Sequence, residues 1–298
     1  MIIDIHTHTP THRDEVPASE RRTNRGWRPD RPVEAAFSWE DHRRAMEPVD
    51  RAVVFAIAPP PGKSAFEMTA LPWPDDVNLN DLTAEYVKTD PAKLIGFVTV
   101  HPHAPDACDE IDRCVEQHGF RGIKLAPNYQ NFEPLCDAAR AIYAHAQRRG
   151  LPILFHQGTS PVRTAPIRYA HPLIMDEVAV QFPELRIVMA HMGHPWQPDT
   201  IAVIRKHPHV YADISGLFYR PWSYYQCMVL AMEWGVLPKL LFASDYPITT
   251  PAETLEALRS LSRMGGGVAP QIPEELIEPI IHRDTLALLG IEDRESNR

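Results

Sequence analysis

The first ten residues of the chain, MIIDIHTHTP, place two imidazoles at a spacing of two. Ile3 and Ile5 predict a short buried strand, and His6 and His8 come directly after it. Residues two apart project from the same face of a strand, so both imidazoles can converge on one cation. Imidazole nitrogen is a common ligand of Zn²⁺. The pattern indicates either a metal site or a polar strand end with two solvated histidines.

Further groups capable of metal or acid–base chemistry accompany apolar runs along the chain. Lys124 lies in GIKL, His156 follows ILF, His191 follows VMA, and Asp245 follows FAS. A histidine directly after such a run is costly to bury unless it has partners. A single one is often a satisfied core residue. Imidazoles and a carboxylate at several such ends favour one shared site.

The sequence predicts that alternating strands and helices position these groups. Eight apolar runs alternate with helical patterns, the runs being residues 2–8, 50–57, 94–100, 120–127, 151–158, 185–193, 209–215 and 239–247. Continuous apolar runs predict parallel strands covered by helices on both faces. Eight such units predict a closed α/β fold, the (β/α)8 TIM barrel, whose catalytic groups lie at the carboxyl ends of the strands. An open doubly wound sheet is the alternative, but HTHTP replaces its usual Gly-rich turn.

The bulk composition narrows the classes of function. The chain has 298 residues, predicted to form one domain over 1–298, and 30 basic against 39 acidic residues give a net charge of -9. That balance argues against a nucleic-acid surface. We expect no membrane span and no secretion signal. The four cysteines are scattered without a CxxC, which predicts reduced thiols and a cytoplasmic location.

Residues 10–38 form a long polar stretch with no predicted helix or strand. A loop of this length in a compact domain is either functional or disordered. It places several arginines around Trp27. One interpretation is a solvated basic loop. The functional hypothesis is a lid that governs specificity, in which Trp27 contacts substrate and Arg28 offers its guanidinium to a substrate carboxylate.

The stretches DIHTH, GIKL, LFHQG, AHMGHP and FASDYP resemble the amidohydrolase superfamily, in the branch of aminocarboxymuconate-semialdehyde decarboxylase and related hydrolases. They follow the family's order over nearly the whole chain. The resemblance implies a TIM barrel with one divalent metal ion, most often Zn²⁺, with Mn²⁺ as the alternative. It implies that the metal ligands are His6, His8, His156 and Asp245. It also implies catalytic roles for His191, beside the reacting water, and for Asp245, which receives the proton of that water.

Three further side chains keep two interpretations each. Two-metal members of the superfamily carboxylate the lysine of strand four, whereas this branch holds one metal, so Lys124 is expected to contact substrate or water. A buried lysine paired with a carboxylate is the alternative. His194 is either a loop residue or a substrate contact. Asp4 is either a polar residue of the barrel interior or the hydrogen-bond partner of a ligand imidazole.

The first functional hypothesis is a metal-dependent hydrolase acting on a small carboxylated or cyclic substrate of the lactone or amide type. The alternative is a non-oxidative decarboxylase of an aromatic or muconate-type acid, which an arginine of the 10–38 loop ordered in the pocket would favour. A binding protein on an inactive barrel is the third, and the full ligand set argues against it. The expected partner is a small-molecule substrate, without nucleic acid or membrane. A homodimer is expected because members of the family often self-associate.

Overall fold

The computed structural model describes residues 1–291. Within them, parallel strands alternate with helices in the predicted order. The barrel strands are β1 Ile3–His8, β2 Arg51–Phe55, β3 in two segments, Leu94–Gly96 and Val98–Thr99, β4 Ile123–Leu125, β5 Ile153–Phe155, β6 Ile187–Met189, β7 Val210–Asp213 and β8 Leu240–Leu241.

Backbone hydrogen bonds join the first strand to the chain after the last one. The strands pair in parallel in sequence order, with a break inside β3. The amide of Ile5 donates to the carbonyl of Phe242 at 3.3 Å, and the amide of Asp245 donates to the carbonyl of His6 at 2.8 Å. These bonds close the ring and confirm the predicted barrel. They also place His6 and Asp245, 239 residues apart by numbering, on neighbouring backbones.

The helices cover the outside of the barrel, and capping residues lie at several of their ends. Ser38 caps the first helix in a capping box with Asp41, as its sequence predicts. Gly150 ends a long helix with a φ of 66°, a left-handed conformation that favours glycine. The helices are α1 Trp39–Ala45, α2 Ala65–Thr69, α3 Leu79–Val87, α4 Ala107–Arg113, α5 Asp137–Arg149, α6 Ile174–Gln181, α7 Gln197–Lys206, α8 Pro221–Glu233, α9 Pro251–Ser260, α10 Glu274–Ile281 and α11 Thr285–Leu288.

Side chains alternate between the helix layer and the barrel interior along each strand. Ile153 and Phe155 of β5 pack outward in the main core under the helices. Leu154, between them, points inward and packs with Leu286 and Leu289 from the chain around α11. The same alternation sends Lys124 of β4 inward, because Ile123 and Leu125 belong to the outer core. The barrel interior is therefore apolar at one end and polar at the other.

The 10–38 loop folds against the carboxyl end of the barrel. It contains a short antiparallel pair, Thr23–Asn24 with Val33–Glu34, which the sequence did not predict. Trp27 and Phe37 are buried in a cluster with Leu71, Trp73 and Ile248 from other loops. The loop thus occupies the position expected of a lid. Within residues 1–291, no helix has the length and apolar character needed to cross a membrane.

Candidate active site

Strand β1 presents both of its imidazoles to one carboxylate. His6 and His8 lie within the strand, not after it, and both are buried. Nε2 of His6 lies 3.3 Å from Oδ1 of Asp245, and Nε2 of His8 lies 3.2 Å from the same oxygen. The ligand atoms of these three residues all lie within 4.8 Å of one another. The structure therefore brings three of the four predicted metal ligands together.

His156 lines the same cavity but stands outside that compact trio. Its ring centre lies 5.0 Å from that of His191. Its Nε2 is buried and, in the part of the chain described, has no hydrogen-bond partner. Leaving a buried polar atom unpaired costs about 1–3 kcal/mol. An unpaired imidazole nitrogen beside the trio fits a fourth ligand that a cation would satisfy.

The donor set suits a divalent metal in its protonation as well as its geometry. Burial, with the nearby charge of Lys124, lowers the pKa of His6 to about 3. Burial also lowers the pKa of His8 and of His156, so the imidazoles are neutral. Burial alone would raise the pKa of Asp245, but His191 and the other imidazoles hold it below its usual value. Neutral imidazoles and one carboxylate are the ligand chemistry of Zn²⁺ sites.

Left-handed backbone positions hold two of the site's side chains. Asp245 has a φ of 67°, and His191, in the short turn after β6, has a φ of 56°. Such conformations in non-glycine residues cost about 1–3 kcal/mol and cluster at functional sites. Here they turn Asp245 toward β1 and His191 over the trio, with its ring centre 4.9 Å from that of His6.

Asp213, a buried acid at the end of β7, contacts both His6 and His191. This role was not predicted for it. Oδ2 of Asp213 lies 2.8 Å from Nδ1 of His6. Burial would raise the pKa of Asp213, but His6 and its hydrogen bond hold it far below its usual value. The signal was present in the sequence, because Asp213 ends the apolar run VYAD much as Asp245 follows FAS.

Asp4 does not take the imidazole contact considered for it. Its Oδ1 accepts hydrogen bonds from the amides of His6, at 3.1 Å, and Ser244, at 3.0 Å. Burial raises the pKa of Asp4 to about 7. Asp4 therefore fastens β1 to the segment after β8, and Asp213 pairs with the imidazole instead.

Apolar and aromatic side chains from several loops enclose the cavity above the trio. Trp27, Lys124 and His194, three of the four predicted substrate contacts, line it. Burial lowers the pKa of His194 to about 4. The remaining wall residues are Ile57, Thr69, Leu71, Tyr129, Gln157, Thr159, Pro161, Gly216, Tyr219, Arg220 and Ile248.

Lys124 reaches the floor of the cavity without an acidic partner. Its side chain is 1% exposed, and its Nζ has no hydrogen-bond partner among the described residues. The Nζ lies 4.6 Å from the centre of the Phe55 ring. Burial lowers the pKa of Lys124 to about 7. The structure thus shows no carboxylate pairing for this lysine within residues 1–291, and its amine is available to a ligand.

The structure does not bring Arg28 to the cavity wall. Its guanidinium donates to Asp30 at 2.7 Å and to Glu253 at 3.2 Å, and the side chain is buried. Arg220, in the loop before α8, lines the cavity instead. It donates to the carbonyl of Gly216 at 3.3 Å, and no acidic group of residues 1–291 forms an ion pair with it. Sequence reasoning missed Arg220 because LFYRPWS matches no recognised motif.

The fold is a parallel barrel, and imidazoles and a carboxylate cluster at its carboxyl end. This combination is typical of barrel enzymes that bind a metal ion. The amidohydrolase family model matches residues 3–290. The chain belongs to this family, and the predicted resemblance is confirmed. It is an enzyme of the amidohydrolase superfamily.

Solved structures confirm the fold over nearly the whole chain. A TIM-barrel protein from Bordetella bronchiseptica, described as uncharacterized, is 20% identical with a TM-score of 0.69, covering 97% of this chain and 99% of the other. A dihydroxybenzoic acid decarboxylase from Polaromonas sp. JS666, with bound manganese and the inhibitor 2-nitroresorcinol, is 17% identical with a TM-score of 0.64, covering 99% and 98%. A probable 2-pyrone-4,6-dicarboxylic acid hydrolase from Acinetobacter baumannii, with citric acid bound, is 14% identical with a TM-score of 0.62, covering 97% and 99%.

Proposed function

We propose that this chain is a metal-dependent hydrolase of a small cyclic substrate, a lactone or amide, that carries a carboxylate. The observation behind this proposal is the shared Asp245 oxygen, which lies within 3.3 Å of Nε2 of both His6 and His8, at the floor of the cavity. A divalent ion held by these residues and His156, when bound, would acidify a water molecule and polarise a carbonyl oxygen.

The chain's own residues then divide the proton transfers. Asp245 is ionised and lies at the floor of the cavity, so it can take the proton that the attacking water loses. His191 faces the same space and, after accepting that proton from Asp245 at its free Nε2, can pass it to the leaving oxygen or nitrogen.

The substrate class follows from the walls of the cavity. Lys124 and Arg220 are two basic side chains that form no ion pair within residues 1–291, and Lys124, with a pKa of about 7, is partly protonated at neutral pH. Asp245 is the single acidic residue of the lining. Trp27, Tyr129 and Leu71 offer flat and apolar surface around them. An anionic substrate with a planar ring balances these charges and fills this space.

Decarboxylation of an aromatic acid is the second candidate. It is supported by the cationic lining, since Arg220 lines the cavity and could take the carboxylate contact that we expected from Arg28. Structural neighbours described as decarboxylases of 2,6-dihydroxybenzoate and 5-carboxyvanillate agree with it. In that reaction Asp245 or His191 would take up a proton from solvent and pass it to the ring carbon that loses CO₂, and no water would be added to the product.

The test compares the two reactions on one preparation of the protein. Purified protein is loaded with Zn²⁺ or Mn²⁺ and incubated with carboxylated lactones, cyclic amides and hydroxybenzoic acids. The proposal predicts ring-opened products with a gain of one water, detected by mass spectrometry, without release of CO₂. Release of CO₂ would establish the second candidate. If the protein holds one metal ion per chain and yields neither a ring-opened product nor CO₂ from any of these compounds, both candidate functions would be contradicted. The homodimer and the cytoplasmic location stay predictions.

A further inference from the structure

The carboxylate of Asp213 connects two imidazole side chains that the proposed function uses. Its Oδ2 lies 2.8 Å from Nδ1 of His6. Its Oδ1 accepts hydrogen bonds from the amide of His191 at 2.9 Å, from the amide of Ser215 at 3.1 Å, and from the Ser215 hydroxyl at 2.5 Å. That hydroxyl oxygen lies 2.8 Å from Nδ1 of His191. Asp213 and Ser215 are both completely buried.

The position of each proton follows from what these groups can donate. A carboxylate surrounded by donors only accepts, so His6 carries its proton on Nδ1 and Ser215 directs its hydroxyl proton at Asp213. The Ser215 oxygen then accepts from Nδ1 of His191. The carbonyl of Ser215, 3.2 Å from the same nitrogen, can accept as well. Each imidazole is consequently left with its lone pair on Nε2.

We infer that Asp213 and Ser215 are positioning residues that fix the tautomers of His6 and His191 through one hydrogen-bonded chain. His6 thereby offers Nε2 to the cation, and His191 offers Nε2 to the reacting group. Partners of this kind set the ring orientation and basicity of metal-binding imidazoles. The consequence for turnover rests on the proposed function, whereas the tautomers belong to the folded protein alone.

Asp213→Asn tests the branch that leads to His6. The amide oxygen stays with the backbone donors of His191 and Ser215, so the amide nitrogen faces Nδ1 of His6 and two donors meet. His6 is then expected to move its proton to Nε2. In metal-free protein at pH 8, ¹H–¹⁵N correlation NMR should show His6 protonated on Nδ1 in the wild type and on Nε2 in the variant. Zn²⁺ affinity, measured by competition with a chromophoric chelator, should fall about 10–100-fold.

Ser215→Ala tests the branch that leads to His191. It removes the hydroxyl link but keeps the contact between Asp213 and His6. Zn²⁺ affinity should stay within about 2-fold, while kcat falls roughly 10-fold at unchanged KM. Ser215→Thr keeps a hydroxyl and should retain most of kcat. Ser244→Ala is the matched control, because this buried serine follows β8 and makes no hydrogen bond to either imidazole among the described residues.

Two results would overturn the inference. The first is an Asp213→Asn protein that keeps the Nδ1–H tautomer of His6 and its Zn²⁺ affinity. The second is a Ser215→Ala protein that weakens Zn²⁺ binding as strongly as Asp213→Asn, or that is no slower than Ser244→Ala. Where Asp213→Asn does not fold, the Ser215 series decides. The NMR measurement uses neither metal nor substrate, so failure of the proposed reaction would leave its result unchanged.

Discussion

The two ends of this barrel are built from the same strands but differ in what they bury. At the carboxyl end, several buried polar atoms have no hydrogen-bond partner within residues 1–291, including Nε2 of His156 and Nζ of Lys124. At the amino end, Ile3, Leu154 and Leu289 pack together as an ordinary apolar core. Unpaired buried polar atoms lower stability. The carboxyl end therefore binds a ligand at a cost in stability, and the apolar amino end stabilises the fold. Substitutions at the two ends should therefore separate activity from stability.

The largest effect is expected from removing a ligand at the carboxyl end. His8→Ala should lower kcat/KM by about 10³-fold or more, because metal catalysis provides several kcal/mol of transition-state stabilisation. Its thermal stability without metal should change little. His103→Ala is the matched control, since this exposed imidazole near another strand end does not line the cavity. Equal losses in both variants would break the comparison.

The opposite end should respond in stability alone. Leu289→Ala removes a fully buried side chain from the apolar core at the amino end and should lower the free energy of unfolding by about 2–5 kcal/mol. Chemical denaturation measures that loss. Metal content and kcat per folded molecule should remain those of the wild type. A Leu289→Ala protein with normal stability but impaired metal binding would contradict the division between the ends.

Effects of intermediate size are expected from Arg220 and Arg28, the two arginines near the cavity. Arg220→Met should raise KM for a carboxylate substrate by roughly 10–100-fold, since a hydrogen bond to a charged group contributes about 1.5–3 kcal/mol. Arg28→Met should remove the hydrogen bonds that this guanidinium donates to Asp30 and Glu253, and lower the melting temperature more than it changes KM. Steady-state kinetics and thermal unfolding of both variants decide between these roles. A large rise in KM in Arg28→Met, with mainly a loss of stability in Arg220→Met, would show instead that Arg28 contacts the substrate.

The smallest effect is expected in the outer helix layer, where charges are paired. Burial would raise the pKa of Glu110, but hydrogen bonds from Arg113, Asn80 and Asn78 lower it to about 2. A lowered folded-state pKa means that this stabilisation is present above the unfolded value of about 4.5 and disappears as pH falls through about 2. Glu110→Gln should therefore cost about 1 kcal/mol near pH 7, after allowance for solvent screening, and clearly less near pH 2. Urea unfolding at both pH values measures this, and a constant deficit would contradict it.

Features that depend on neighbouring residues were predictable from the sequence. Apolar runs placed the strands, and local signals such as the Ser38 capping box and Gly150 placed helix ends. The trio of His6, His8 and Asp245 was also predictable, because parallel strands in a barrel bring their carboxyl ends together.

Outside that trio, the pairing of distant polar side chains was not predictable. The pairing of Asp213 with His6 spans 207 residues, and that of Arg28 with Glu253 spans 225. Whether an arginine faces the cavity or an acidic partner is decided by such contacts, which leave no pattern along the chain. The short strand pair within residues 10–38 was not predictable for the same reason, since this loop packs through Trp27 and Phe37 against distant loops.

The most direct test of the central claim is an anomalous difference map from crystals of the protein grown with Zn²⁺ and measured at the zinc edge. The account predicts one peak at about 2.0–2.2 Å from Nε2 of His6, Nε2 of His8 and a carboxylate oxygen of Asp245, with His156 turned toward it. Absence of a peak there, while these side chains still bond to one another, would contradict the account.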